Sequence, residues 1–216
     1  MRMRLPILVH KENRLIACLP LYTATMILYL TSNHFHIFRP RLLPLSHIDV
    51  AVPFVPQTVW LYVSEYIYAI VIYFSYRDTL NLNKCIYAVF SLLFTCVLIF
   101  WLWPTAMPRE LYPLPETLDP VSRLALTALW RADTPANCFP SFHVGFVYLS
   151  CFLLFDEGRR KFLFFLVWAT AISLSTLTLK QHYFVDVVSG FGLAVIFYCV
   201  FRRARLESVP ITGQCP

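Results

Sequence analysis

Cys85–Trp103 reads CIYAVFSLLFTCVLIFWLW, nineteen residues without one Asp, Glu, Lys or Arg. At about 1.5 Å of rise per residue, a helix of this length reaches across the ~30 Å hydrocarbon core of a bilayer. A surface helix of a soluble protein would instead carry a polar face. Outward from this stretch, the charge-free run extends from Lys84 to Arg109, and a second such run lies between Arg14 and Arg39. Charge-poor segments follow at Val55–Ser75, interrupted by Glu65, and at Pro140–Phe155, Phe162–Leu179 and His182–Phe201. The pattern predicts an all-α integral membrane six-helix bundle in a single domain, 1–216, with spans near 15–36, 55–75, 85–104, 140–155, 162–179 and 182–201.

Composition agrees. Of 216 residues, 58% are hydrophobic and only 14% charged, and mean hydropathy is +0.62; soluble domains carry about 25% charged residues. Five glycines against 19 phenylalanines and 12 tyrosines exclude collagen-like and disordered chains. The net charge of +6 does not indicate nucleic acid, because the basic residues are strung between apolar runs rather than gathered in a basic groove. They report orientation instead. With the N-terminus inside, twelve of the eighteen fall in inner segments: Arg2, Arg4, Lys11, Arg14, Arg77, Lys84, Arg159, Arg160, Lys161, Arg202, Arg203 and Arg205. The outer six are Arg39, Arg41, Arg109, Arg123, Arg131 and Lys180. Both termini are therefore expected in the cytoplasm. The first apolar run is longer than a signal-peptide core and no small-x-small site follows it, so it reads as an uncleaved span.

The seven cysteines form no disulfide framework. No internal repeat or matched pair of broken helices supports an inverted-repeat transporter. The long connection from Pro104 to Phe139 carries VSRLALTALWR, Val121–Arg131, which reads as a short amphipathic helix at the outer interface between spans three and four, and equally as a plain connecting helix or, less readily, a lid over a site. Trp60, Trp101 and Trp103 suit headgroup anchoring.

Polar residues near spans are expensive and therefore informative. Three clusters map to outer helix ends: Pro104–Arg109, Asn137–His143 and Ser175–Asp186. His182 and Asp186, four apart, share a face if both lie on one helix, where a carboxylate fixes the imidazole tautomer. The pair alone also fits a structural hydrogen bond or two metal ligands awaiting others. Pro140-Ser141 before His143 reads as a helix start whose free N–H groups suit a phosphate. Arg109 adds a forked donor and Lys180 a point charge on the same side.

These residues resemble the type-2 phosphatidic acid phosphatase superfamily of membrane phosphatases and lipid phosphotransferases. Pro140-Ser141-Phe142-His143 is similar to its Pro-Ser-Gly-His motif, with Phe for Gly. Ser175, His182 and Asp186 match its third motif, with Thr176 where Arg is usual. The usual first motif, Lys and Arg-Pro separated by six residues, is absent, and Arg109 is the substitute. Asn-x-Phe-Pro-Ser-Phe-His-Val and Lys-Gln-His-Tyr-Phe-Val-Asp resemble the branch containing inositol phosphorylceramide synthases. The resemblance implies a transmembrane catalytic domain without metal or cofactor. In it His182 attacks phosphorus, Asp186 orients it, His143 protonates the leaving alcohol, and Arg109, Lys180, Ser141 and Ser175 hold the phosphate. It implies a lipid phosphate substrate of the phosphatidic acid kind at the outer leaflet, periplasmic or lumenal, in a bacterial inner membrane or an endomembrane. Hydrolysis leads, with phosphoryl transfer between lipids as the alternative; a transporter or scaffold leaves the outer cluster unexplained. Phe142 is expected to crowd the pocket floor.

Three features remain. Glu65 lies mid-span among tyrosines, suited to packing or to lining a headgroup route. His34, His36 and His47 with Asp49 in the first outer loop lack metal-ligand spacing. Asp156–Lys161 is a topology signal that can also meet anionic headgroups.

Overall fold

The computed structural model describes residues 5–204. In chain order it contains α1 (Arg14–Ser32), β1 (Arg41–Leu42), α2 (His47–Ala51), α3 (Val59–Ser75), α4 (Thr79–Leu102), β2 (Thr105–Ala106), α5 (Pro120–Ala132), α6 (Phe142–Leu153), α7 (Arg159–Thr178) and α8 (Phe184–Arg202). Of these, α1, α4, α7, α8 and the continuous segment Pro56–Ser75 that contains α3 are long and apolar enough to cross a membrane. Arg2, Arg4, Arg205 and Cys215 lie outside the described residues.

The fourth apolar segment differs from the expected span. It forms the twelve-residue α6, about 18 Å long, and packs against α8, α4, α7 and α3. Most of its residues are buried, so protein rather than lipid sets its length. Ser141 starts it, its Oγ accepting from Val144 N at 3.3 Å. A 3₁₀ turn at Phe155–Glu157 ends it on Gly158, whose φ of 129° favours a residue without Cβ.

Close approach of α6 and α8 depends on Gly190. A Cβ there would stand 2.3 Å from the Ser141 carbonyl oxygen. With the methyl absent, Ser141 N donates to Asp186 O at 3.0 Å, and two separate sequence motifs meet backbone to backbone.

Between Lys84 and Asp78, α4 gains an additional turn over the expected span, because Asp78 caps it through Leu80 N at 2.8 Å. Buried Asn83 then accepts from Leu8 N and Val9 N and donates to Val9 O, fastening the segment before α1. At the other end of the bundle, β1 and β2 pair in parallel, and Thr105 also bridges Asn137. This ladder ties the loops that follow α1, α4 and α5 into one layer.

The amphipathic stretch folds as α5, capped by Asp119 through Ser122 N at 2.8 Å. Leu126 and Leu129 are buried, whereas Val121 and Leu124 are 62% and 70% exposed. Trp60 Nε1 donates to Ser122 Oγ at 2.9 Å, so this tryptophan ties α3 to α5. The six cysteines among the described residues are free.

Candidate active site

The layer of loops brings the start of α6 and the start of α8 together beneath the end of α5. His143 lies in the first turn of α6 and His182 in the turn before α8, with ring centroids 5.7 Å apart. Both are buried.

His182 Nδ1 is 2.9 Å from the Cys138 carbonyl oxygen. A carbonyl only accepts, so Nδ1 carries the hydrogen and Nε2 keeps its lone pair. Asp186 Oδ2 stands 3.5 Å from the same Nδ1 and accepts from Tyr183 N at 2.8 Å. The sequence reading placed His182 and Asp186 on one helical face. Instead His182 precedes α8 and Asp186 occupies its third helical position, folding back as a cap. The pair meets through capping geometry, and the principal hydrogen bond to His182 comes from a backbone carbonyl that no side-chain pattern reveals.

His143 Nε2 lies 3.0 Å from Tyr62 Oη and 3.8 Å from Glu65 Oε2. Tyr62 Oη donates onward to Asp133 Oδ2 at 3.3 Å, while Tyr29 Oη and Asn33 Nδ2 donate to Asp133 Oδ1. The chain His143–Tyr62–Asp133 therefore crosses from α6 to α3 to the end of α5. Burial raises the carboxyl pKa of Asp133, and the nearby Arg109 guanidinium opposes the rise.

Arg109 donates to Asp133 O at 2.7 Å and to Gln181 Oε1 at 2.5 Å, beside His182 in sequence. Trp130 stacks under its guanidinium at 5.8 Å. Ser141 is fully buried at the start of α6. The Phe142 and His143 N–H groups of that first turn have no protein acceptor among the described residues, leaving the positive end of the helix for an anion.

Two expected phosphate ligands sit elsewhere. The Lys180 ammonium donates to Asp49 O and Val52 O, both at 2.6 Å, below the ring of Tyr112. Its backbone φ of 53° turns the chain from α7 into α8. Ser175 is inside α7, its hydroxyl donating to Ile172 O at 2.6 Å. Both are explained by backbone carbonyls within reach that must be satisfied away from water. Asp49, considered above with the loop histidines, caps α2 and accepts from Phe184 N at 2.6 Å, joining α2 to the start of α8.

Four of the seven buried side-chain polar atoms without a hydrogen-bond partner among the described residues gather here: Glu65 Oε2, Arg109 Nε, His143 Nδ1 and Asp186 Oδ1. Such atoms are rare in a folded interior, and four in one place leave room for water, an ion or a ligand to supply the missing partners. Sequence points to Glu65 and the tyrosines around it, Tyr62 among them, but gives no role to Asp133, or to Gln181 within the Lys-Gln-His-Tyr-Phe-Val-Asp stretch, since each carries an ordinary polar side chain.

Cys138, His182 and Asp186 offer donor atoms within 4.8 Å of one another, the group among the described residues best placed to hold a metal ion. Of these donors the Cys138 sulfur is already engaged. Cys138 Sγ donates to Pro135 O at 3.1 Å, and burial together with the Asp186 carboxylate pushes its thiol pKa well up, away from the thiolate a metal needs.

A model of the PAP2 superfamily matches residues 46–200, a range that holds Arg109, Ser141, His143, His182 and Asp186. The chain belongs to the PAP2 superfamily. As a PAP2 member it is also 33% identical, over 81 residues, to the inositol phosphorylceramide synthase catalytic subunit aur1 of Schizosaccharomyces pombe. The match covers 36% of this chain and 18% of that relative, so the chain spans under a fifth of the curated relative it matches. No solved structure matches this PAP2 chain. Membership supports an enzyme of lipid metabolism that acts on phosphoesters in a membrane.

Proposed function

We propose that the chain is a metal-independent lipid phosphatase that passes the phosphoryl group of a lipid phosphate through a phosphohistidine on His182. The observation that carries this reading is the hydrogen bond from His182 Nδ1 to Cys138 O, which leaves Nε2 as a free nucleophile beside His143. Nε2 attacks phosphorus, and Asp186 at 3.5 Å stabilises the imidazolium that forms. His143 donates a proton to the leaving alcohol. Arg109, the Ser141 cap and the N–H groups that open α6 stabilise the equatorial oxygens. Water then attacks the phosphohistidine and releases phosphate. Lys180 and Ser175 enter as supports of the α7–α8 turn.

In this reading the spanning helices and α6 form a six-helix bundle with both termini cytoplasmic. The site faces the periplasm or lumen, and the exposed Val121 and Leu124 of α5 rest on the outer interface. A second reading, transfer to a lipid alcohol instead of water, is favoured by the similarity to the inositol phosphorylceramide synthase subunit.

The test is phosphate release from short-chain phosphatidic acid by the purified chain in detergent with excess chelator, coupled to trapping of an acid-labile, base-stable phosphoprotein. Activity and label are expected with chelator present, and both vanish in His182→Ala. Loss of activity on chelation, or full activity in His182→Ala, refutes the mechanism. Movement of labelled headgroup to a lipid acceptor without phosphate release selects the transferase.

A further inference from the structure

Beside His143 a cavity of about 190 Å³ runs between α1, α3, α4 and α6. Its outer end holds Glu65, Asp133 and His143; its inner end reaches Tyr76 and Leu82. Glu65 on α3 and Tyr76, the residue that ends it, are eleven positions apart, about 16 Å of depth at 1.5 Å per residue. α1 packs principally on α4 rather than on α3. It is held to α3 at the inner end, where Arg14 donates to Tyr73 O and Tyr76 O, and to the outer layer through Tyr29 and Asn33 on Asp133. Between these fastenings the wall includes exposed Tyr66 and Ile70, so the slit opens sideways on the face the spans present to lipid.

Arg109 and the start of α6 suit a phosphate, but no Lys or Arg lines the cavity, and two carboxyl groups head it. Nothing cationic lines the slot to hold a phosphate. Glu65 is 7% exposed and its Oε2 has no partner, an acceptor aimed into an apolar slot. What satisfies it is a neutral donor attached to a long apolar chain.

We propose that this cavity is the seat of a lipid alcohol, its hydroxyl donating to Glu65 beside His143 and its chain lying along α3 toward Tyr76. This rests on the phosphohistidine reading above, in which the alcohol oxygen must stand next to His143 whether it leaves or enters. The same chemistry arises from two sources, the leaving alcohol of the substrate or an acceptor lipid.

The binding test does not need turnover. Full-length His182→Ala in nanodiscs is irradiated with a long-chain alcohol bearing a diazirine near its tail, and labelled peptides are mapped. Labels are expected on the facing surfaces of α1 and α3, with at least a fivefold loss in Glu65→Leu. Labelling spread evenly over lipid-facing helices, or indifferent to Glu65→Leu, overturns the assignment. In the active chain, Ala69→Trp and, on the more loosely packed α1, Met26→Trp fill the slot. Each is expected to lower activity on a long-chain lipid phosphate more than tenfold while sparing a water-soluble phosphate monoester. Equal loss on both substrates, or loss on neither, counts against the cavity. If wild type cleaves neither substrate, the phosphatase reading fails while labelling still decides the cavity. Phosphorylation of the added alcohol during turnover identifies it as an acceptor, and competitive inhibition without phosphorylation as a mimic of the leaving group.

Discussion

Replacing Lys180 separates an anchor of the fold from a ligand of the substrate. Its ammonium is 3% exposed with the rest of the residue and holds two carbonyls of the α2 region, Asp49 O and Val52 O, at 2.6 Å. Lys180→Met keeps the stem and removes both donors. Hydrogen bonds from a charged group contribute about 1.5–3 kcal/mol each, and an unpaired buried acceptor costs about 1–3 kcal/mol. Burial of the ammonium, which lowers the Lys180 pKa, offsets part of this. The net expectation is a loss of about 2–4 kcal/mol. At roughly 2–4 °C per kcal/mol for a chain of this size, Tm falls by roughly 5–15 °C. A backbone control sharpens the test. Lys180 has φ 53°, which costs a residue with Cβ about 1 kcal/mol more than glycine. Lys180→Gly is therefore expected to be about 1 kcal/mol more stable than Lys180→Ala although both lack the ammonium. Thermal unfolding in detergent reads the stability, and kcat/KM on short-chain phosphatidic acid, below the lowest transition, reads the chemistry, with less than a threefold change expected. An unchanged Tm with a hundredfold loss of kcat/KM refutes the reasoning and returns Lys180 to the phosphate.

Gly190→Ala places a methyl 2.3 Å from the Ser141 carbonyl oxygen, a backbone atom that cannot rotate away. Forced separation of α6 from α8 is expected to cost about 1–3 kcal/mol and to lower kcat at least tenfold, as steady-state kinetics on the detergent-solubilised protein reports. Asp133 gives a pH signature: its carboxyl is pushed up by burial in the folded chain, so above about pH 4 the unfolded chain releases the proton first. The folded state then binds more protons, and stability falls as pH rises until the folded carboxyl also ionises. Asp133→Asn is expected to flatten this decline in Tm measured from pH 4 to 8; an unchanged slope removes Asp133 as its source.

Helices were legible in the sequence wherever lipid dictates composition. The charge-free stretch from Lys84 to Arg109 gave α4 its identity because hydrocarbon excludes ions. α6 was legible as an apolar segment and a capped start, but not in its length, because a helix enclosed by α4, α7 and α8 answers to packing rather than to bilayer thickness. The amphipathic α5 was legible from periodicity, within one residue at each end of Val121–Arg131. The β1–β2 pairing escaped notice, since two residues per strand carry no period.

The site divides along the same line. His143, His182, Asp186 and Ser141 stood out because their spacing is a side-chain pattern, and they come together. What fixes the reactive tautomer is the Cys138 carbonyl, a group every residue carries and no sequence displays. Lys180 shows the converse: a buried ammonium satisfying two carbonyls has the same residue type and position as one awaiting a phosphate. Glu65 completes the contrast. Its burial in an apolar helix was visible from sequence, but which side of His143 it serves was not, because α3 is distant in the chain from α6 and only their packing sets Oε2 at 3.8 Å from the ring. Arg109 and the start of α6 gather donors for a phosphate, whereas the slot headed by Glu65 has no Lys or Arg in its lining; that arrangement belongs to the assembled helices, and in the reading proposed above it gives the charged and neutral halves of one amphiphile separate seats beside the same histidine.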